Sequence, residues 1–419
     1  MNLKNIIKLL IIFTPLFFLS CQKLDSFRNK DEIILLTVKD DFENLETFNN
    51  ISKNYKENYF DHYSKSINFL WKNEQELKKV LTVNNSSVKY PSSNPLNIYI
   101  INDKIYGLNN NSDLKIFDLN NKKDIETYHI SINSNIEFSH PTSVAMLNNF
   151  LYAGYAEGTL IKFDLNGNII WQLELNNILK TPIKIHNENI IVILSNKILS
   201  VDTINEKINW EFIYRSDSPL NVYGGDIVSK NHLLFFYLSN GRLGEIDTII
   251  GENIDSLFSK IQYDHNLLDS SNTLHSFQNL ISFYENNKYL YTIDIQNNNF
   301  LIEKDKIDNV LSHNFINNAL IILDKEKIMK AYNIKNKKIF WKSDLNEYLD
   351  KDEKIVEIIN NKNRIIIFFN SGLILEIDLI SGVVLFNQNI KLKEIISIYF
   401  IDNFAFFTQM NGKTTIFEQ

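Results

Sequence analysis

The sequence predicts an all-β fold, a single eight-bladed β-propeller, and three observations carry that prediction. From about residue 90 onward one phrase recurs roughly every 43 residues: an apolar strand, a polar turn, a second strand ending in a hydrophobic residue plus an acid or amide, a turn, and a third strand. A tryptophan or phenylalanine stands at a nearly constant distance behind several of those acids. The last copy stops one strand short, while the N-terminal part of the chain holds a tryptophan that no repeat claims. Seven blades is the alternative count, because two of the repeats lack the aromatic residue.

In chain order, the first element is an export signal, residues 1–20. Lys4 and Lys8 flank its start, an apolar run extends from Leu9 to Leu19, and small Ser20 precedes Cys21. The run is about half of the ~20 residues a membrane-spanning helix needs. Phe18-Leu19-Ser20-Cys21 resembles a bacterial lipobox, which implies that Cys21 becomes the lipidated first residue of the mature chain. A cleaved soluble protein and an uncleaved anchor are the alternatives. Gln22 stands where many inner-membrane lipoproteins carry Asp, which by analogy favours the outer membrane. Cys21 is also the sole cysteine, so intramolecular disulfides and multi-cysteine metal sites are excluded. Residues 21–65 do not fit the repeat; charged and Asn-rich, they read as a lipidated tether.

The propeller is expected over residues 66–419. Its turn residues are Asp118, Asp164, Asp202, Asp247, Asp294, Asn333, Asp378 and Glu418, spaced by 38 to 47 residues. One acid per blade at the same turn is what a structural hydrogen bond requires, so these positions are read as turn-formers rather than catalytic carboxylates. Trp171 follows its anchor by seven residues, whereas Trp210, Trp341 and Phe386 follow theirs by eight. That shared offset predicts packing of blade against blade. SINFLWKN, residues 66–73, supplies Trp71 and is expected to pair with the last blade, closing the ring.

Composition limits the function. The chain of 419 residues is 44% hydrophobic and 22% charged, enough for a sizeable core. Only 12 Gly and 6 Pro are present, which leaves Asn and Asp to make the turns. A net charge of −7 argues against nucleic acid as a partner. Eight scattered histidines show no i, i+3 or i+4 pair, no phosphate-cradling or nucleophile-elbow motif occurs, and no cofactor is expected. Arginine is rare, with Arg28, Arg215, Arg242 and Arg364 only, so each marks a place where planar, bidentate bonding is wanted. Arg215, in WEFIYRSDSP beside Phe212 and Tyr214, has the composition of a protein-binding hot spot; a surface arginine paired with Asp217 is the alternative.

A lipobox, tryptophan-docking repeats of the pyrroloquinoline-quinone-enzyme type and closure by an N-terminal segment together resemble the BamB family, propeller lipoproteins of the outer-membrane β-barrel assembly machine. The more specific part of the likeness runs from WEFIYRSDSP through FFYLSNGRLGEID. The resemblance implies a non-enzymatic scaffold that binds BamA through a POTRA domain, works with the other subunits on unfolded outer-membrane proteins, and sits on the periplasmic face of the outer membrane. It places the BamA contact at Phe212, Tyr214 and Arg215, where the family carries leucines in place of the two aromatics. It places a second contact at Asp269, although the companion aspartate of the family is Ser271 here. A quinone-dependent dehydrogenase and an envelope propeller binding another protein or a polysaccharide are the competing readings.

Overall fold

The structure, a computed structural model, describes residues 71–419 apart from 85–97, 132–140, 215–224, 253–273, 295–300 and shorter loop stretches. The signal (1–20), the lipidation at Cys21 and the tether (21–65) expected from the sequence therefore lie outside the described residues. What is described is all-β: seven four-stranded antiparallel sheets and one with three described strands. These are the eight blades. In chain order they span 98–129, 141–174, 184–213, 225–247, 275–306, 310–344, 355–389, and 395–418 joined by Lys78–Asn84.

Each blade must bury both faces of its sheet, which explains why second strands read as unbroken apolar runs rather than alternating ones. Ile365 to Phe369, for instance, are all buried. Among the described residues the hydrophobic core divides into eight clusters, each made by two neighbouring blades, and the cluster of Ile105, Phe117, Phe406 and Ile416 joins the eighth blade to the first. The ring is closed. On the inner strands a side-chain acceptor of one blade takes the first backbone N–H of the next. Ile183 donates to Ser143 Oγ at 2.9 Å, Leu274 to Asp226 Oδ2 at 2.9 Å, and Ile355 to Ser312 Oγ at 3.1 Å.

The recurrent acids do the structural work expected of them. Asp118, Asp164, Asp202, Asp247, Asn333 and Asp378 each accept backbone N–H groups two to four residues ahead, capping the turn that follows the third strand. Backbone and side-chain hydrogen bonds from Asn121 hold the Asp118 carboxyl below its ordinary pKa. Two residues before each anchor, the third strand faces the aromatic position of the outermost strand: Lys162 opposite Trp171, Ser200 opposite Trp210, Ala331 opposite Trp341, Glu376 opposite Phe386. Trp210 Nε1 donates to the Thr248 carbonyl and Trp341 Nε1 to the Leu379 carbonyl, each 2.9 Å away in the turn of the following blade. Blade 2 departs from this pattern. Lys162 Nζ takes the corresponding Thr203 carbonyl at 3.0 Å, and Trp171 Nε1 is buried without a hydrogen-bond partner.

Gly251 and Gly382, four residues past their anchors, lie beneath these tryptophans with φ of +74° and +72°. A Cβ there would sit 2.5 Å from Trp210 and 2.6 Å from Trp341 respectively. Gly251→Ala is expected to cost about 2 kcal/mol, read as a lower urea midpoint, because left-handed strain adds to the clash. Glu206 occupies the same turn position of blade 3 at φ +58°, and Glu206→Gly should be neutral or stabilising.

Closure differs from the sequence expectation in one respect. The strand that pairs with the end of the chain is Lys78–Asn84, antiparallel to Lys413–Glu418, not the segment around Trp71. The register explains why. Leu81 stands opposite Ile416, the place Trp210 holds opposite Ser200, and packs into the interface with blade 1. Trp71 lies ahead of this strand, wedged between blades 7 and 8 and 2% exposed. Its Nε1–H donates to Glu376 Oε1 at 2.7 Å, and the Glu74 N–H reaches the same oxygen at 2.8 Å. Arg364 bridges Glu376 Oε2 (2.9 Å) and Glu74 Oε1 (3.0 Å). Burial works against the Arg364 charge, but its bonds to Glu376 and Glu74 outweigh it and raise the pKa. Gln419 closes the other side: its Oε1 accepts the Lys72 N–H at 2.8 Å and its Nε2 donates to the Lys72 carbonyl at 2.9 Å.

Candidate functional site

Antiparallel strands put the turns between second and third strands on the same rim as the connections between blades. The segment singled out in the sequence lies on that rim, where the outermost strand of blade 3, Lys207–Ile213, ends. Strand alternation decides which side chains face out. Trp210 is buried, so Phe212 and Tyr214 share its inward parity. Phe212 packs against Phe236 of blade 4 with ring centroids 5.8 Å apart. Tyr214 is 3% exposed; its hydroxyl donates to the Leu194 carbonyl and its N–H to the Asn196 carbonyl at 3.1 Å. Both aromatics are thus fixed in the interface between blades 3 and 4. The apolar group they leave at the surface is Ile213, 66% exposed. Sequence reasoning missed Ile213, although the parity of KINWEFIY counted from Trp210 would have found it. Arg215 and Asp269 lie outside the described residues.

The neighbouring surface is continuous with this one. Asn177 Nδ2 donates to Asn196 Oδ1 at 2.5 Å, and Asn177 Oδ1 accepts from Ser195 Oγ and, at 2.8 Å, from the Ile178 N–H. This ties the connection between blades 2 and 3 to the turn at 194–197. Ile178 stands exposed beside the bridge, and Lys197 pairs with Glu211 at 3.1 Å. The rim over blades 2 to 4 therefore offers exposed isoleucines at a polar, hydrogen-bonded surface. That is the mixture of apolar anchor and polar surround that suits protein recognition.

The residues a catalytic reading would use are placed otherwise. All four tryptophans are buried between blades. Among the described residues no three His, Cys, Asp or Glu converge as metal ligands. His186 is buried on an inner strand, and that burial lowers its pKa. His275 stacks on Phe315 at 4.8 Å. Lys184 and Asp226, paired at 2.5 Å on the inner strands of blades 3 and 4, are held by backbone groups and serve the ring.

No protein-family model matches the chain, and no curated protein matches it in sequence. Solved structures do match in fold. BamB from Moraxella catarrhalis superposes with a TM-score of 0.61 at 15% identity, covering 82% of this chain and all of that one. The computationally designed Ika8 protein gives 0.58 at 13% identity over 80% of this chain and 99% of its own. Quinohemoprotein alcohol dehydrogenase from Comamonas testosteroni gives 0.57 at 10% identity over 82% of this chain and 76% of its own. The likeness is one of fold.

Proposed function

We propose that this protein is a non-enzymatic scaffold lipoprotein of the machinery that folds and inserts outer-membrane β-barrels, docking on BamA from the periplasmic face of the outer membrane. The observation that carries this reading is the rim at the end of blade 3. The stretch that resembles the BamA-binding loop of the BamB family starts from two aromatics locked into the blade 3–blade 4 interface. Ile213, between these two, is therefore presented from a fixed base, which lowers the ordering cost of binding, and Arg215 follows directly in sequence. Phe212 and Tyr214 position the contact, and Asp269, matched by the family resemblance to a second contact, adds to it. BamB of Moraxella catarrhalis, similar in fold, adds support.

The tether fits the same reading. Cys21 carries the lipid, and Trp71, the first described residue, sits between blades 7 and 8, four blades away from the junction of blades 3 and 4. The anchor raises the local concentration of the dock near its partner.

Arg215→Ala and Ile213→Asp are each expected to reduce co-purification of BamA at least about tenfold, with the unfolding midpoint unchanged, since a hot-spot residue contributes 2 kcal/mol or more. Unaltered recovery of BamA with both variants removes this rim as the dock. A second reading, a quinone-dependent dehydrogenase, is favoured by the likeness to the Comamonas testosteroni enzyme. With Cys21 the sole cysteine, the adjacent-cysteine disulfide of such enzymes has no counterpart here. Quinone absorbance in protein purified from its native envelope would support that reading over ours.

A further inference from the structure

The outermost strand of a blade is a sheet edge, and folded proteins usually blunt such edges with charge. Seven outermost strands are described. Six of them, Lys123–His129, Ile169–Glu174, Lys207–Ile213, Leu301–Lys306, Ile339–Asp344 and Lys78–Asn84, carry between one and four Asp, Glu, Lys or Arg residues each. Val384–Asn389 of blade 7, VLFNQN, carries none, and the whole stretch 381–390 is uncharged. Among the described residues this strand pairs only with Leu373–Asp378, leaving its outer side without a neighbouring strand. Val383 and Leu385 are 56% and 43% exposed, and Asn387 and Asn389 are exposed beyond them.

The edge is also held rigid. The Gln388 side chain clasps the backbone of Leu77, accepting its N–H at 3.0 Å and donating to its carbonyl at 3.1 Å. The Glu376 carboxylate, opposite Phe386, is fixed by Trp71 and Arg364. An ordered strand whose outer N–H and C=O groups meet no other strand among the described residues is a template for one more strand. Its chemistry selects the occupant. A backbone ladder requires an extended segment, Val383 and Leu385 favour apolar cross-strand neighbours, and the absence of charge fits a neutral segment without electrostatic mismatch.

We propose that the outer edge of Val384–Asn389 binds an extended, uncharged, alternately apolar segment of an incompletely folded β-rich polypeptide by strand addition. The proposal rests on the scaffold reading above and names where such a scaffold holds its client. The probe is a fluorescein-labelled ten-residue peptide of alternating threonine and valine, titrated by anisotropy into the full-length chain in detergent. Saturable binding is expected. Leu385→Lys should weaken it by up to about fivefold, the upper end of what one cross-strand neighbour contributes. Ile339→Lys on the outermost strand of blade 6 should leave it unchanged. If Leu385→Lys lowers the unfolding midpoint, Asn387→Lys serves in its place, together with a peptide carrying proline at alternate positions, which should not bind. Absence of saturable binding, or equal weakening by the blade 6 variant, overturns the proposal. So does a wild-type dimer in sedimentation that Leu385→Lys splits, because the edge then belongs to a second copy. Peptide binding uses purified protein alone, so its failure with BamA recovery intact rejects only the edge, and the reverse result rejects only the dock.

Discussion

Glu376→Ala is expected to destabilise the ring by about 3–5 kcal/mol, the range for removing one partner of a buried ion pair. Glu376 is fully buried, and its two oxygens together receive the Trp71 indole, the Glu74 N–H and one arm of Arg364. Removing the carboxylate, itself fully buried, leaves those donors without that acceptor. Trp71→Ala should cost a similar amount by emptying the cluster it shares with Phe368, Phe400 and Phe407. Glu376→Gln should fall between wild type and alanine, since it keeps an acceptor for Trp71 and Glu74 but sets an amide against Arg364. Because all these contacts serve one clasp, the Trp71→Ala, Glu376→Ala pair should lose clearly less than the two single changes combined. Urea midpoints for the four proteins measure this; single variants indistinguishable from wild type would show that the clasp does not hold the ring.

Asp226→Ala is the second change with a large expected effect, again about 3–5 kcal/mol. Its carboxylate joins three blades, pairing with Lys184 of blade 3 at 2.5 Å while accepting the Leu274 N–H leading into blade 5 at 2.9 Å. The side chains of Lys184 and Asp226 are only 14% and 9% exposed, so solvent does little to replace the lost partner. Blades 2 and 6 point to a compensating variant. There Ser143 and Ser312 accept the equivalent N–H without any ion pair. Asp226→Ser combined with Lys184→Met should therefore recover most of the stability that Asp226→Ala loses. If the double variant is as unstable as Asp226→Ala, the inner girdle depends on the charge pair and not on the backbone acceptor.

Periodicity exposed the blades because each repeat must rebuild the same turn and bury the same two faces, and both demands leave marks at fixed positions. The Asp and Asn anchors were legible for that reason, as was the role of Trp171, Trp210 and Trp341. The closing strand was not, because the docking position tolerates several side chains: Leu81 fills it in blade 8, Phe386 in blade 7 and Glu126 in blade 1. An unclaimed tryptophan therefore does not mark the closing strand, and Trp71 follows a different bonding plan. The clasp itself joins residues about 300 positions apart and exists only once the ring has closed. Turn composition was also only partly readable. Asn side chains brace the anchors at Asp118, Asp164 and Asp202, yet of twelve described non-glycine residues with positive φ only four are Asn, and Glu and Lys supply seven. At the candidate dock, hot-spot composition drew attention to Phe212 and Tyr214, while strand parity turns both inward and presents Ile213.

On the function proposed above, this closed ring is a docking scaffold for outer-membrane barrel assembly. Affinity purification of the tagged wild-type chain from detergent-solubilised envelope, with the recovered proteins identified by mass spectrometry, tests it most directly. Recovery of BamA and its companion subunits is the predicted result. Recovery of an unrelated partner in their place, or of the chain alone carrying quinone absorbance, would contradict it.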